Sequence, residues 1–379
     1  MNNPVYVDLH IIQSLPPSNV NRDDAGSPKQ ATYGGARRAR VSSQAWKRAT
    51  RLAFAQRLAL PDAKLGTRSK RIGQQLGERI AASTGLPAEA ARRLADALLS
   101  QLGLTASKKK AGENSYLLFY GRHQLDRIAE LIAGRAEELA ALPDDALAKA
   151  AASDELGIRS ILASGHPIDV ALFGRMVADL TDLNVDAATQ VAHAISTHAA
   201  EIEFDYFTAV DDANTEDSGA GMIGTVEFTS ATLYRFATVG MHQLITNLDG
   251  DTDAAQAALS AFIEGFTYSM PSGHTNSFAH QTLPQLLSVA IRTDQPVNLV
   301  SAYESPIRSR TGIAAESITR LDTAMHDAAT IWGAHPQQVV SVYQPQMLPE
   351  PTMLGPARGF PELIQSVRSA VDTQITAGR

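Results

Sequence analysis

Alternating apolar and polar residues mark the start of the chain as a β-strand. Every second residue from Val5 to Ile11 is apolar, and the residues between them are Tyr6, Asp8 and His10. This period of two predicts a half-buried strand. A proline pair at 16–17 ends the run, and a glycine-containing loop is expected to follow.

A long helical region is predicted next. Ser42 or Ser43 is a suitable N-cap for a helix that runs to about Leu60 and stops at Pro61. Residues 61–185 are rich in Ala and Leu, are interrupted by Gly and Pro, and show little strand character. They predict an inserted or appended helical lobe. We expect a further short helix from Asp186 to His198.

Alternation returns after residue 200, in two runs that predict an extended β-hairpin. The first run is 202–210 and the second is 226–236, with a polar, glycine-containing loop between them. Long loops of this kind tend to be functional. We expect Phe204 and Phe228 to lie in the core. Of the adjacent Tyr206 and Phe207, which fall on opposite faces, one is expected in the core and the other outside.

The remaining pattern completes a mixed α+β fold. We expect helices at 253–269 and 312–332, short strands at 286–292 and 298–303, and an irregular Pro-rich tail from Pro345. Without the helical lobe, the element order approximates the β-α-β-β-α-β ferredoxin-like arrangement. The same topology underlies the RRM, an RNA-binding platform.

Composition adds few restrictions to this prediction. The chain has 379 residues, 44% hydrophobic and 19% charged residues and no cysteine, which excludes disulfides and thiolate metal sites. We expect a cytoplasmic protein, because the N-terminus does not resemble a signal peptide and no apolar run is long enough to span a membrane.

One segment, in contrast, has a high net positive charge. The whole chain carries a formal net charge of -7, yet the segment from Arg22 to Arg51 has eight basic and two acidic residues. This segment is therefore +6 and the remainder is -13. So local a contrast predicts a surface that binds anions, most simply a nucleic-acid backbone.

Helical spacing divides the end of this segment into two faces. Gln44, Lys47, Arg48 and Arg51 follow the i, i+3, i+4, i+7 pattern of one face, and the opposite face includes Trp46. The helix is thus expected to dock through Trp46, Ala49, Ala53 and Leu60 and to present one amide and three cations. Arg37, Arg38 and Arg40 precede it and follow Gly34-Gly35.

Evidence for catalysis is weak. His193 and His198 lack the i, i+4 spacing of a helical zinc pair, and His274 lies in a polar loop. Asp205, Asp211 and Asp212 are the residues that a magnesium site would use. Motifs of phosphate-binding loops and nucleophile elbows are absent. We expect no enzyme activity and no metal or cofactor.

Seven short motifs are distinctive: N-R-D-D at 21–24, Y-G-G-x-R-R-x-R-V-S-S-Q at 33–44, K-R-A-x-R at 47–51, D-V-A-L-F-G-R-M at 169–176, A-H-A-I-S-T-H at 192–198, D-Y-F-T-A-V-D-D at 205–212 and G-T-V-E-F-T-S at 224–230. Together they resemble the CasC family, the backbone subunit of the type I-E CRISPR Cascade complex. These matches keep a consistent order along the chain, and beyond residue 240 the resemblance is weak.

The resemblance implies a hand-shaped, non-catalytic protein. An RRM-like palm would comprise 1–60 and 186–379, helical fingers 61–185, and a hairpin thumb about 200–232. Copies would polymerise along CRISPR RNA and hold its phosphate backbone irrespective of sequence. Each thumb would kink the guide, and the bases between kinks would pair with the target DNA strand. Other Cascade subunits would be further partners.

The resemblance also implies roles for individual residues. Phosphate contacts would come from the basic segment, Met176 would contact bases at the kink, and the hairpin would form the thumb contacts. The RNA-binding set is Arg22, Lys29, Arg38, Arg40, Gln44, Lys47, Arg48, Arg51 and Met176; the thumb set is Tyr206, Phe207, Thr208, Val210 and Ile223. The chain has Tyr206 where the family would lead us to expect tryptophan. The loop 272–278 offers only His274 where the family tends to be basic.

Two alternatives stay open from the sequence alone. One is an RRM-fold endoribonuclease that uses His193, His198 or His274. The other is an oligomer without nucleic acid, in which the basic face meets the acidic hairpin loop of a neighbouring copy.

Overall fold

A computed structural model describes residues 4–105, 107, 110, 112–152, 157–178, 180–210, 220–310 and 312–377, without the side chains at 209–210 and 220–223. These residues form an α+β protein, so the mixed α+β class predicted from the sequence is confirmed. The strands are β1 (Tyr6–Ser18), β2 (Gln30–Tyr33), β3 (Ala36–Val41), β4 (Gly66–Ser69), β5 (Leu118–Gly121), β6 (Thr189–Val191), β7 (Ala194–Ser196), β8 (Glu203–Val210), β9 (Ala220–Gly240), β10 (Leu286–Arg292) and β11 (Gln338–Tyr343).

Thirteen α-helices are present in the described part of the chain. They are α1 (Ser43–Gln56), α2 (Ile72–Thr84), α3 (Ala88–Ser100), α4 (Arg122–Ala133), α5 (Ala136–Ala140), α6 (Asp144–Ala151), α7 (Ile158–Ala163), α8 (Ile168–Phe173), α9 (Met241–Asn247), α10 (Thr252–Tyr268), α11 (Thr275–Phe278), α12 (Ile313–Trp332) and α13 (Phe360–Ala377). Among them, none combines the length and hydropathy that a membrane crossing requires.

The chain divides into two compact units. The first comprises Met1–Ala53, Gln190–Gly240 and Leu259–Arg379, and the second comprises Phe54–Thr189 and Met241–Ala258. The second unit is mostly helical and has its own core, formed by leucines, isoleucines and alanines of α2 to α7. It also contains the short antiparallel pair β4–β5, which the sequence pattern did not reveal.

An antiparallel sheet forms the centre of the first unit. Its strand order is β11-β10-β1-β9-β7-β3-β2, with β8 paired to β9. The central strand β1 pairs with β10 from Tyr6↔Arg292 and with β9 from Tyr6↔Gly240. It is buried on both faces rather than half-buried, since Asp8 and His10 are enclosed as fully as its apolar residues. It also continues through the proline pair to Ser18, with a register shift after Leu15.

Some local predictions were wrong because distant partners decide the conformation. The expected helix at 186–198 instead contains β6 and β7, since Ile195 pairs with Tyr234 of β9 and with Arg40 of β3. The expected strand at 298–303 is a 3-10 turn. The tail is not irregular throughout, because α13 buries Leu363, Val367 and Val371 along one face.

Candidate nucleic-acid interface

Helix α1 is fixed at its N-terminus and along its inner face. The Ser42 hydroxyl accepts from the Ala45 N–H at 3.3 Å, and the Asn21 side-chain oxygen accepts from the Ser42 N–H at 2.8 Å. Trp46, Ala49 and Ala53 are buried, which confirms the predicted docking face. The helix ends at Gln56, before Leu60.

A buried arginine holds Trp46 in place. The guanidinium carbon of Arg235 lies 3.7 Å from the centroid of the Trp46 ring and 4.5 Å from that of Phe266. Arg235 donates to the Gln13 side-chain oxygen and to the Phe266 carbonyl. Burial lowers the pKa of Arg235 to about 9. The inner face of α1 therefore rests on a cation that is held by rings and uncharged acceptors.

The outer face of α1 presents polar and cationic side chains. Gln44 and Arg48 are exposed, and Lys47 and Arg51 are half-buried. Partial burial lowers the pKa of Lys47. Since the inner face is packed, these four side chains share one direction relative to the helix axis, as a phosphate-binding ridge requires.

The second source of cations is the β2–β3 hairpin, which the sequence pattern represented only as a loop. Its turn is Gly34-Gly35, with φ values of +57° and +72°. A Cβ at Gly34 would lie 1.7 Å from the Glu304 carbonyl oxygen. Arg37 of this hairpin is exposed and donates to the Gln30 side-chain oxygen at 3.0 Å.

Arg38 does not join this surface, and its predicted contact with RNA is wrong in this structure. Its side chain is fully buried. The guanidinium donates to the carbonyls of Tyr33, Ser196, Tyr303 and Glu304 at 2.8 to 3.2 Å. These bonds join β3 to distant segments of the first unit, so Arg38 is a structural cross-link.

Arg40 lies beside His193 and the start of α1. Its guanidinium donates to the His193 Nδ1 at 3.3 Å, and the Ser43 N–H donates to the same nitrogen at 3.3 Å. Desolvation, with the charges of Arg40 and Lys29, lowers the pKa of His193. His193 is therefore a neutral acceptor that orients Arg40 at neutral pH.

Arg22 and Lys29 extend the surface along the preceding loop. The Lys29 N–H donates to the Asn21 carbonyl at 2.9 Å, which fixes the loop next to the α1 N-cap. Arg22 is exposed, and its Nη1 lies 2.7 Å from the His274 Nε2.

Carboxylates do not neutralise these cations in the described part of the chain. None of the ion pairs found there involves Arg22, Lys29, Arg37, Arg40, Lys47 or Arg48. The nearby Asp23 carboxylate instead accepts from the Ala25 and Ser27 N–H groups, each at 3.0 Å. The positive charge of these side chains is therefore available to an anionic ligand.

Met176 is presented by a rigid turn in the second unit. Gly174 has φ +74°, and a Cβ there would lie 2.7 Å from the Val185 carbonyl oxygen. The next residue, Arg175, is buried and donates to the carbonyls of Leu183, Phe119 and Leu162. Met176 itself is 86% exposed, an unusual state for a large apolar side chain.

The hairpin formed by β8 and β9 exposes aromatic side chains. Phe204 and Tyr206 are 67% and 63% exposed, so the expectation that Phe204 lies in the core is wrong. Phe207 is 38% exposed and its ring covers Gly224, opposite it in the register, so neither member of the 206–207 pair is a core residue. Thr208 is also exposed.

Part of the hairpin lies outside the description. This part comprises the side chains of Val210 and Ile223 and the loop residues 211–219 with Asp211 and Asp212. Their predicted roles stay predictions.

The histidines considered for catalysis have structural partners. His198 Nε2 accepts from the Thr232 N–H at 3.1 Å, and its Nδ1 lies 2.8 Å from the Ala199 carbonyl oxygen. His193 accepts at Nδ1 as described above. Among the described residues, no group of three or more His, Asp or Glu side chains is arranged to hold a metal ion.

The chain resembles one protein family and several solved structures. Residues 7–365 match the family model for CT1975-like proteins. A solved chain described as "CRISPR RNA-guided surveillance complex, pre-nicking" is 33% identical, with a TM-score of 0.82 over 96% of this chain and 99% of that chain. Another, described as "CRISPR RNA-guided surveillance complex", is 28% identical, with a TM-score of 0.71 and the same coverage. A search of curated proteins gave no match. Since the family model spans most of the sequence, the chain belongs to the CT1975-like protein family.

Proposed function

We propose that this protein is a non-catalytic backbone subunit of a CRISPR RNA-guided surveillance complex and binds the phosphate backbone of the guide RNA. The observation that carries the proposal is the cationic surface of α1, the β2–β3 hairpin and the loop before them. Six of its cations take part in none of the ion pairs of the described residues: Arg22, Lys29, Arg37, Arg40, Lys47 and Arg48. The chain also matches subunits of such complexes over 96% of its length.

The surface is suited to an RNA of any sequence. Its ligand-facing groups are guanidinium and ammonium groups, which attract phosphate oxygens and carry no information about base identity. A guide must keep its base edges free for pairing with a target strand. Contacts confined to the backbone satisfy that requirement.

The finer assignments extend this proposal. We assign the protein to a type I-E Cascade as a CasC-like subunit, with an RRM-like palm, helical fingers and a thumb hairpin. The strand order β10-β1-β9-β7 supports the palm, since it is the order of a ferredoxin-like sheet. The exposed aromatics of β8 support a thumb that contacts a neighbouring copy or displaced bases. Copies of the chain, other Cascade subunits and the target DNA strand are the proposed partners.

Charge reversal on α1 tests the proposal. We expect Lys47→Glu with Arg48→Glu to abolish retention of full-length guide RNA when the chain is purified with the other complex subunits. Both side chains point away from the packed face of α1, so circular dichroism and the thermal unfolding midpoint should stay close to those of the wild type.

A matched control separates this surface from net charge. Arg320→Glu with Arg358→Glu makes the same change in charge on α12 and before α13, where each arginine forms a surface ion pair and Arg320 also donates to the Ser305 carbonyl at 2.8 Å. Such pairs contribute about 0–1 kcal/mol, so the control should fold. We expect it to retain the guide. If the α1 variant folded and still carried full-length guide, the proposal would be wrong.

A further inference from the structure

The contact between Arg22 and His274 fixes the protonation state of the imidazole. Arg22 Nη1 lies 2.7 Å from His274 Nε2. A guanidinium has only donors and keeps its proton, so Nε2 must be the acceptor. In this contact His274 is therefore a neutral imidazole with its proton on Nδ1. It adds no positive charge to the surface.

The loop that carries His274 is held tightly against the Arg22 loop. A Cβ at Gly273 would lie 2.5 Å from the Val20 carbonyl oxygen and 2.7 Å from that of Asn19. His274 itself has φ +50°, a conformation that is unfavourable for a non-glycine residue and persists only where its surroundings impose it. The backbone thus places this imidazole beside Arg22.

Aromatic contacts hold the imidazole on its other side. The centroid of the His274 ring is 6.1 Å from that of Phe278, and the Phe278 ring is 6.0 Å from that of Phe228 in β9. The buried Asn19 donates to the carbonyls of Gly26 and Glu227 at 3.0 Å each. Both partners of the Arg22–His274 contact are thereby attached to the same strand.

We propose that His274 is a positioning residue that orients Arg22 toward a phosphate of the guide RNA. The inference rests on the proposed function. A guanidinium has five N–H donors, and His274 accepts one of them, which leaves the others for phosphate oxygens. An arginine side chain loses rotamer entropy when it is fixed. Because His274 holds the Arg22 guanidinium, part of this entropy is lost before the RNA binds. The loop contributes orientation rather than charge.

Three substitutions at one position distinguish orientation from charge. The assay is binding of the full-length chain to a fluorescein-labelled single-stranded RNA. We expect His274→Leu to weaken binding about threefold to fivefold, the scale of a partly exposed hydrogen bond to a charged group. We expect His274→Gln, which keeps an acceptor, to bind as the wild type does. His274→Lys should bind more weakly, because an ammonium cannot accept from Arg22 and repels it.

The reverse order would overturn the inference. If the loop contacted phosphate through charge, His274→Lys would bind at least as tightly as the wild type and His274→Gln would bind more weakly. The thermal unfolding midpoint of each variant shows whether it is folded. His274→Gln and His274→Lys bring side chains of similar length to the same site, so packing alone does not predict a difference between their RNA affinities.

A double-mutant cycle tests whether His274 acts through Arg22. In the Arg22→Ala background, His274→Leu should cause no further loss of RNA affinity. An equal loss in both backgrounds would contradict the inference. If Arg22→Ala bound fully while Lys47→Glu with Arg48→Glu did not, the positioning role would be wrong and the proposed function would stand. Full binding by the α1 variant as well would remove the proposed function itself.

Discussion

Arginine has two separate uses in this protein, and they are visible only at the level of individual residues. Arg38, Arg175 and Arg235 are buried and donate to backbone carbonyls or an amide, so they connect distant segments. Arg22 and Arg48 are exposed and available to a ligand. The sequence predicted the cationic segment and the two faces of α1. It could not separate Arg38 from its neighbours, because the carbonyls that bind Arg38 come from Ser196 and residues 303–304.

Burial of Asp8 predicts a pH dependence of stability. Burial raises the pKa of Asp8 to about 6, against the lowering effects of the Val297 N–H, which donates to its carboxylate at 2.8 Å, and of Arg292. The folded state therefore binds the proton more tightly than the unfolded state does. The free energy of unfolding should fall as pH rises from about 4 to about 6, by about 3 kcal/mol for a shift of roughly two pKa units. We expect Asp8→Asn to remove this fall and to be more stable at pH 7, as measured by urea denaturation.

Asp322 provides a control of opposite sign. Burial would raise its pKa, but hydrogen bonds from Thr352, Leu354 and Met353 outweigh burial and lower it. Its contribution is present above the unfolded pKa and is lost as pH falls through the folded value. Asp322→Asn should therefore be less stable than the wild type at pH 7. If Asp8→Asn and Asp322→Asn changed the free energy of unfolding at pH 7 in the same direction, the opposite pKa shifts of the two carboxylates would be contradicted.

At the scale of elements, the local pattern predicted the long strands better than the short ones. Strong alternation identified β1 and the hairpin of β8 and β9. It failed for β6, β7 and the β2–β3 hairpin, which are short and depend on pairing with distant strands. Helix α13 had a detectable signal, since Leu363, Val367 and Val371 recur every four residues after the Pro-rich stretch. In β6, β7 and the β2–β3 hairpin, long-range pairing outweighs intrinsic propensity.

Substitutions of two adjacent glycines test which contacts constrain the β2–β3 hairpin. We expect Gly34→Ala to lower the free energy of unfolding by about 3 kcal/mol or more, because the new Cβ overlaps the Glu304 carbonyl and the hairpin must move. RNA affinity should fall with it, since Arg37 and Arg40 lie on this hairpin. Thermal or urea denaturation and an RNA-binding assay give both results.

Gly35→Ala is the matched control. Gly35 also has a positive φ, but a Cβ there meets no atom within 4 Å. Only backbone strain remains, about 1 kcal/mol. Equal losses for the two variants would show that Glu304 does not constrain the turn.

At the scale of the whole molecule, the basic segment lies in one unit, and the other unit has an apolar core of its own. The chain is acidic overall, and the segment from Arg22 to Arg51, which has a net positive charge, lies in the first unit. The second unit has a separate apolar core and presents Met176. The charge contrast is visible in the sequence itself, and the Ala- and Leu-rich pattern of 61–185 predicts a helical lobe. The sequence could not reveal that α9 and the start of α10 group with that lobe, because they are remote from it in the chain.

The salt dependence of RNA binding tests the central claim most directly. We would measure the Kd of the full-length chain for single-stranded RNAs of unrelated sequence over a series of salt concentrations. Binding through the phosphate backbone predicts one Kd for all sequences at each salt concentration. It also predicts a slope of log K against log salt that becomes shallower by about 0.7 for each phosphate contact removed by Lys47→Glu or Arg48→Glu. Affinities that depend strongly on base sequence, or a slope unchanged by both substitutions, would contradict it.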